Sequence, residues 1–227
     1  MTVDADQLLG KIASGKTLKD DELKEIVELL SGDFLGVEGG ELTLDEVYEL
    51  LLVLGKAKAV SERRVLEKYL DCQEPQTVSL VLDILCGEWG FTEEYTEYLL
   101  NFSLGQSWDA EGDVQVVAIK LLGEHLHRNA PKMRGTKGGK GALTDAQKKR
   151  CGEIFSLLDQ HFRDPDMDSI IRKTAYYSLC RAAGREWEQI PSEFARLNLE
   201  PGSPDVDWGV IEACQALSSS SSRGESA

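Results

Sequence analysis

Three places in this sequence carry residue types that bind metals or phosphate elsewhere. Asp164, Asp166 and Asp168 stand at alternate positions, as the first ligands of a calcium loop do. Such a loop needs Gly at its sixth position and Glu at its twelfth. Here those positions hold Ser169 and Ala175, so the three acids read as a turn that ends in a helix cap. His125 and His127 are two residues apart, which turns them to roughly opposite faces of a helix, whereas a metal pair uses a spacing of four. The stretch Gly135–Gly141 is rich in glycine and lysine, as phosphate-cradling loops are. For Gly139 and Lys140 to complete that motif, position 134 would have to be glycine. It is Arg134, and no strand precedes it. No GxSxG, HExxH or Cys–His constellation exists in the chain. The expectation is a protein that is not an enzyme and holds no metal and no cofactor.

The composition narrows the partner. The formal charge of the 227 residues is −15. Nucleic-acid binding needs concentrated positive charge, so the chain is not expected to bind nucleic acid. An acidic surface suits a basic protein partner, or serves solubility alone. The five cysteines (72, 86, 151, 180 and 214) are odd in number, and most fall in apolar helical patterns. They read as buried free thiols in a reducing cytosol. The first residues lack the basic and apolar regions of a signal peptide, and no apolar run is long enough to span a membrane. A cytoplasmic monomer without membrane contact is expected.

Helical periodicity runs along most of the chain. Two amphipathic helices are expected over 4–14 and 19–31, with Leu23, Ile26, Val27 and Leu30 on one stripe of the second. A Gly-rich connection follows over 33–40. Thr43 caps a helix to about Lys56, with Glu46 completing a capping box. Further helices are expected from Ser61 to about Cys72, from Pro75 to near Gly87, and from Thr92 past Phe102. The most apolar helix begins at Asp113 and should stop near Asn129, before Pro131. Thr144 starts a helix to about Phe162, Ser169–Gly184 is helical, and a last helix covers about 205–217. That makes about ten helices in consecutive antiparallel pairs, and an all-α fold.

Four of these helices align on glycines placed at their ends: Gly55, Gly87, Gly123 and Gly184. One, two and five residues before the glycine, all twelve positions are apolar or small. The residue after it is charged each time: Lys56, Glu88, Glu124 and Arg185. The spacings are 32, 36 and 61, the last widened by an insertion over 131–143. Periods in the thirties and forties belong to helical solenoids. Asp113 and Asp168 at helix starts, with Ile171, Arg172 and Ala175 in the last copy, resemble HEAT-like repeats over roughly residues 43–185. The first two copies lack the Asp and Arg. The resemblance implies a right-handed α-α superhelix, here one solenoid domain over 1–217 with a disordered serine-rich tail over 218–227. The stretch 172–187 is similar to bacterial HEAT-like proteins of the toxin-immunity kind.

A solenoid of this type binds proteins along the face made by its second helices. Positions four and eight before each glycine are expected to point away from the core. They are Leu51, Asp83, Ile119, Cys180 and Val47, Ser79, Gln115, Tyr176. Lys120, Glu124, Arg172 and Lys173 are the polar neighbours. Trp108 is a further candidate anchor, since tryptophans are enriched among the residues that dominate protein interfaces. Between 128 and 150 stand eight basic residues, including Lys132, Arg134, Lys137 and Lys140, against one acid, Asp145. This basic, Gly-rich loop either grips a partner or folds back on the protein's own acidic surface. A partner on the loop would also touch His127. These residues imply a protein-binding solenoid, an immunity protein against a basic toxin being one form of it. The alternatives are a scaffold or assembly factor, or a HEAT-like DNA glycosylase, which would need a basic groove.

Overall fold

A computed structural model describes residues 3–32, 42–133, 143–185 and 197–221. Among the described residues all regular structure is helical: ten α-helices, two 3-10 turns and one π-helical stretch, with no strand. The chain divides into two compact units. One comprises 1–92 with 106–114, and the other 93–105 with 115–227.

The first unit holds α1 (Ala5–Ala13), α2 (Asp20–Ser31), α3 (Leu44–Lys56), α4 (Arg63–Glu67) and α5 (Pro75–Leu82). Helix α3 is its centre, packed by α1, α2 and α5. It starts where the sequence says. The Thr43 hydroxyl accepts from Glu46 N, and the Glu46 carboxylate accepts from Thr43 N at 2.7 Å. Val47, Leu50, Leu51, Val53 and Leu54 are all buried. Each such side chain contributes about 1.5–3 kcal/mol by leaving water. Helix α5 widens into a π-helix over Asp83–Glu88, where Trp89 N reaches back five residues to Ile84 O at 2.9 Å. The expected helix over 61–72 is α4 flanked by two 3-10 turns, Val60–Glu62 and Lys68–Asp71.

The second unit holds α6 (Thr96–Ser103), most of α7 (Asp113–Met133), α8 (Asp145–Arg163), α9 (Ser169–Ala182) and α10 (Trp208–Ser221). Helices α8, α9 and α10 pack on one another. Phe162 of α8 is sandwiched by Tyr176 of α9 and Trp208 of α10, at 5.6 and 5.9 Å between ring centres. The stretch before α10 is pinned by its backbone. Arg172 donates to Phe162 O and Leu199 O, Asp207 N donates to the Tyr176 hydroxyl at 2.8 Å, and Arg185 pairs with Asp207 at 2.6 Å.

Several boundaries differ from the expectation for identifiable reasons. Helix α7 runs through Pro131 to Met133 rather than stopping before it. Proline in a last turn forfeits one backbone hydrogen bond, a smaller loss than in mid-helix. Helix α10 starts at Trp208, because Asp205 and Asp207 are held in the preceding turn by Asn198 N and Tyr176. It extends to Ser221, so Ser218–Ser221 belong to a helix and not to a tail. The remaining tail, 222–227, and the loop over 134–142 lie outside the described residues.

The aligned glycines do different work from the expected one. Gly184 alone closes a helix in the left-handed conformation, at φ 89°. Gly55 and Gly123 sit inside helices at close crossings. A Cβ on Gly55 would lie 2.7 Å from Ile84 Cγ1, and one on Gly123 2.5 Å from Ser178 Cβ. Gly87 lies within the π-helix.

The inward positions are as expected. Of the twelve apolar or small residues one, two and five before the glycines, all but Ala183 are buried. The outward positions are not. Val47, Leu51, Ile119, Cys180, Gln115 and Tyr176 are buried too, Tyr176 at 1% exposure and Gln115 at 8%. These helices are buried around more of their circumference than one inward stripe, so the positions four and eight before each glycine also meet neighbours. The half-buried row is Tyr48, Leu80, Val116 and Tyr177, seven before each glycine. Leu51, Val47 and Ile119 are aliphatic and fill the spaces between helices.

Candidate functional site

A cleft lined by polar side chains lies in the second unit. It has a volume of about 270 Å³ and is lined by Glu93, Thr96, Glu97, His125, Asn129, Ala146, Gln147, Arg150 and Cys151. Three helices build it. The turn before α6 supplies Glu93, and α6 itself supplies Thr96 and Glu97. Helix α7 contributes His125 and Asn129, one turn apart. The first turns of α8 contribute the rest.

Local sequence positions these groups. Thr144 caps α8 through a box with Gln147: the hydroxyl accepts from Gln147 N, and Gln147 Oε1 accepts from Thr144 N at 3.0 Å. The box fixes Gln147 so that its amide nitrogen donates to Glu93 Oε1 at 2.7 Å. Arg150, three residues on, shares that helix face. Its guanidinium pairs with Glu97 and lies 3.3 Å from Glu153. Asn129 Nδ2 donates to the His125 carbonyl at 3.1 Å and sits 3.3 Å from His125 Nε2. Thr96 donates to the Glu93 carbonyl at 3.1 Å.

The charged groups of the lining are acidic in balance. Two carboxylates, Glu93 and Glu97, stand against one guanidinium, and both are exposed at the rim, the Glu97 side chain at 72%. Exposed Glu94 neighbours Glu93 in the same turn. A cleft of this charge favours a cation.

The expected site residues fall elsewhere, and several are engaged inside the fold. Glu124 pairs with Arg181 at 3.1 Å, and the Arg181 side chain is only 9% exposed. His127 Nδ1 lies 2.8 Å from the Arg181 carbonyl. These contacts, with the Gly123–Ser178 approach, hold α7 against α9. Arg172 bridges α8 to the stretch before α10. Tyr176 is a core residue whose hydroxyl holds Asp207 N, and burial raises its pKa far above the ordinary tyrosine value. Gln115 donates to the Ser103 carbonyl at 2.8 Å in the interior. Lys120 is exposed, and Asp83, Trp108 and Lys173 are half-buried. Lys132 is described only as a position in the last turn of α7, and Arg134, Lys137 and Lys140 lie outside the described residues.

Sequence reasoning missed Glu93, Glu97, Gln147 and Asn129. Glu93 and Glu97 fall in the helix expected from Thr92, and Arg150 in the basic stretch 128–150, with nothing local to link the two. A signal existed: Glu93 and Glu97 are four residues apart in a segment whose apolar spacing turns Tyr95, Tyr98, Leu99 and Phe102 inward; Tyr95, Leu99 and Phe102 are buried, but Tyr98 is exposed. What the sequence lacked was the placement of α8 across them.

Among the described residues no group of His, Cys, Asp or Glu is placed to hold a metal ion. The five cysteines are free thiols, four of them buried. Burial raises the Cys180 pKa to about 11 and the Cys72 pKa above its ordinary value, so both thiols are poor nucleophiles. Among the described residues no helix is long and apolar enough to cross a membrane. No known protein family, curated protein or solved structure matches the chain.

Proposed function

We propose that the chain is a protein-binding, HEAT-like helical solenoid whose partner is a basic protein, and that the partner docks at the acidic rim of the cleft between α6, α7 and α8. The observation that carries this reading is the rim itself. Glu93, Glu94 and Glu97 are exposed together beside a polar cleft, on a chain of formal charge −15. Complementary charge speeds encounter and selects partners more than it adds raw affinity.

The solenoid part draws support from the two glycine crossings. Gly55 of the first aligned helix meets Ile84 of the second, and Gly123 of the third meets Ser178 of the fourth. Helices that align in sequence therefore pack side by side, as second helices of successive repeats do. A basic toxin neutralised by being covered is one partner that fits.

The test is affinity capture from the native host with the wild-type chain and with Glu94→Lys. Glu94 is exposed and pairs with no side chain among the described residues, whereas Glu124 pairs with Arg181. The expected result is a basic protein recovered by wild type and lost with the variant and at high salt. A neutral partner, held equally by both, would overturn the reading.

A further inference from the structure

We infer that the cleft of the second unit is a guanidinium-binding site whose Glu97 is engaged in the free protein by Arg150 of the cleft wall, and that an arginine side chain of the partner displaces Arg150 from Glu97. This rests on the protein-binding reading for its physiological ligand, but the chemistry of the site can be tested alone.

The lining defines the ligand class. Glu93 Oε1 accepts from Gln147, and Glu97 Oε1 accepts from Arg150. Each carboxylate has a second oxygen, and the two residues are four apart in the chain. A planar guanidinium with five N–H groups reaches two separate carboxylates, while an ammonium is a compact point charge. A cavity of about 270 Å³ takes such a head group together with its aliphatic stem. His125 and Ala146 line the cleft beside the acidic rim.

Arg150 shows that the wall accepts a guanidinium, and it also shows how the site is released. The Arg150 and Glu97 side chains are 36% and 72% exposed. Pairs this exposed hold weakly. Arg150 has a second seat on its own helix, since Glu153 already lies 3.3 Å away. An incoming arginine takes Glu97 and Glu93, and Arg150 moves fully to Glu153. No charge is left unpaired by the exchange, so the cost of opening the site is small.

The experiment is a titration of the full chain with Nα-acetyl-arginine N-methylamide, followed by the resonances of the Gln147 side-chain amide and the His125 ring. The lysine analogue runs beside it. The expected result is saturable shifts at both residues, with the arginine probe binding more tightly than the lysine probe. Arg150→Ala should tighten binding by about two- to fivefold, the range that an exposed pair supplies. Lys149→Ala, which removes the same charge from a neighbouring exposed position, should change it far less. Glu93→Gln with Glu97→Gln should weaken it at least as much as Arg150→Ala tightens it. Equal effects of Arg150→Ala and Lys149→Ala would reduce the finding to general charge and overturn displacement. Absence of shifts at Gln147 and His125 would overturn the site. Capture of a basic protein whose binding ignores the Glu93 and Glu97 changes would leave the protein-binding reading standing and sink this one. Probe binding without any basic partner would do the reverse.

Discussion

Gly123 of α7 and Ser178 of α9 approach so closely that a Cβ on the glycine would sit 2.5 Å from Ser178 Cβ and 2.8 Å from its Cα. The Ser178 hydroxyl uses this proximity to donate to the Ile119 carbonyl at 3.1 Å. The Ser178 hydroxyl oxygen, 2.6 Å away, can rotate, but Cβ and Cα are fixed to the backbone of the neighbour and cannot swing aside. Gly123→Ala gains about 1 kcal/mol of helix propensity. Overpacking of a tight crossing costs typically 1–3 kcal/mol and should win. The variant should unfold at lower urea than wild type, and Ser178→Gly should recover part of the loss.

Gly55→Ala should be milder, because the atoms in the way, Ile84 Cγ1 and Cδ1, lie beyond Cβ in a side chain that can give by a small torsional shift, whereas Ser178 opposes its Cβ and Cα. Gly10 in α1 has nothing within 4 Å of a built Cβ. Gly10→Ala should therefore stabilise by up to about 1 kcal/mol. The order of the three urea midpoints, position 10 above 55 above 123, is the checkable result. Equal effects at 55 and 123 would contradict the geometry.

His161 is 3% exposed, and among the described residues neither ring nitrogen has a partner of good hydrogen-bond geometry, the Ser103 backbone being near but poorly placed. Burial lowers its pKa, and the Ser103 backbone and the Asp164 charge pull upward without cancelling that effect. The unfolded chain takes up the proton at its ordinary value, about 6.5, while the folded one resists it. Stability present above that value is therefore lost as the pH falls below it, with a slope of at most about 1.4 kcal/mol per pH unit. Urea midpoints between pH 5 and 8 should show this decline in the wild type and a flatter profile in His161→Leu. Superimposable profiles would remove His161 from the account.

Glu124 and Arg181 tie α7 to α9 with one partner nearly buried. Glu124→Gln removes the carboxylate that the Arg181 guanidinium meets at 3.1 Å and leaves its bond to the Arg185 carbonyl in place. The expected loss is about 1–3 kcal/mol, below that of a fully buried pair. Thermal unfolding checks it, and an unchanged midpoint would contradict an internal role for Glu124.

Tyr176→Phe removes the acceptor for Asp207 N and the ring packing stays. Burial without a replacement partner costs on the order of 1–3 kcal/mol. Amide exchange should quicken at Asp207 and in the neighbouring stretch before α10, with the first unit unaffected. Tyr69 offers a parallel spectroscopic check. Its hydroxyl donates to the Leu30 carbonyl at 2.9 Å and burial lifts its pKa to about 12, so it should ionise well after the exposed tyrosines.

What the sequence disclosed, it disclosed where the cause was local. The Thr43–Glu46 box needs two residues three apart, and it sits where they put it. Burial one, two and five before the aligned glycines follows from helical spacing and apolar content, which are also local. The same alignment misjudged the glycines at 55 and 123, because a close crossing depends on what the other helix brings: Ile84 in one case, Ser178 in the other. Tyr176 and Gln115 looked like surface residues for a similar reason. Their polar atoms are satisfied by Asp207 and Ser103, partners that no spacing rule connects to them. The cleft was hidden because Glu93, Asn129 and Gln147 meet across three helices.

The central claim is that a basic protein docks on the acidic rim of the cleft. The most direct measurement is the affinity of the captured partner for wild type and for Glu94→Lys, each at low and at physiological salt. The account predicts binding that weakens about tenfold or more with the charge reversal and falls steeply as salt rises. A partner that binds both forms alike, at either salt concentration, would contradict it.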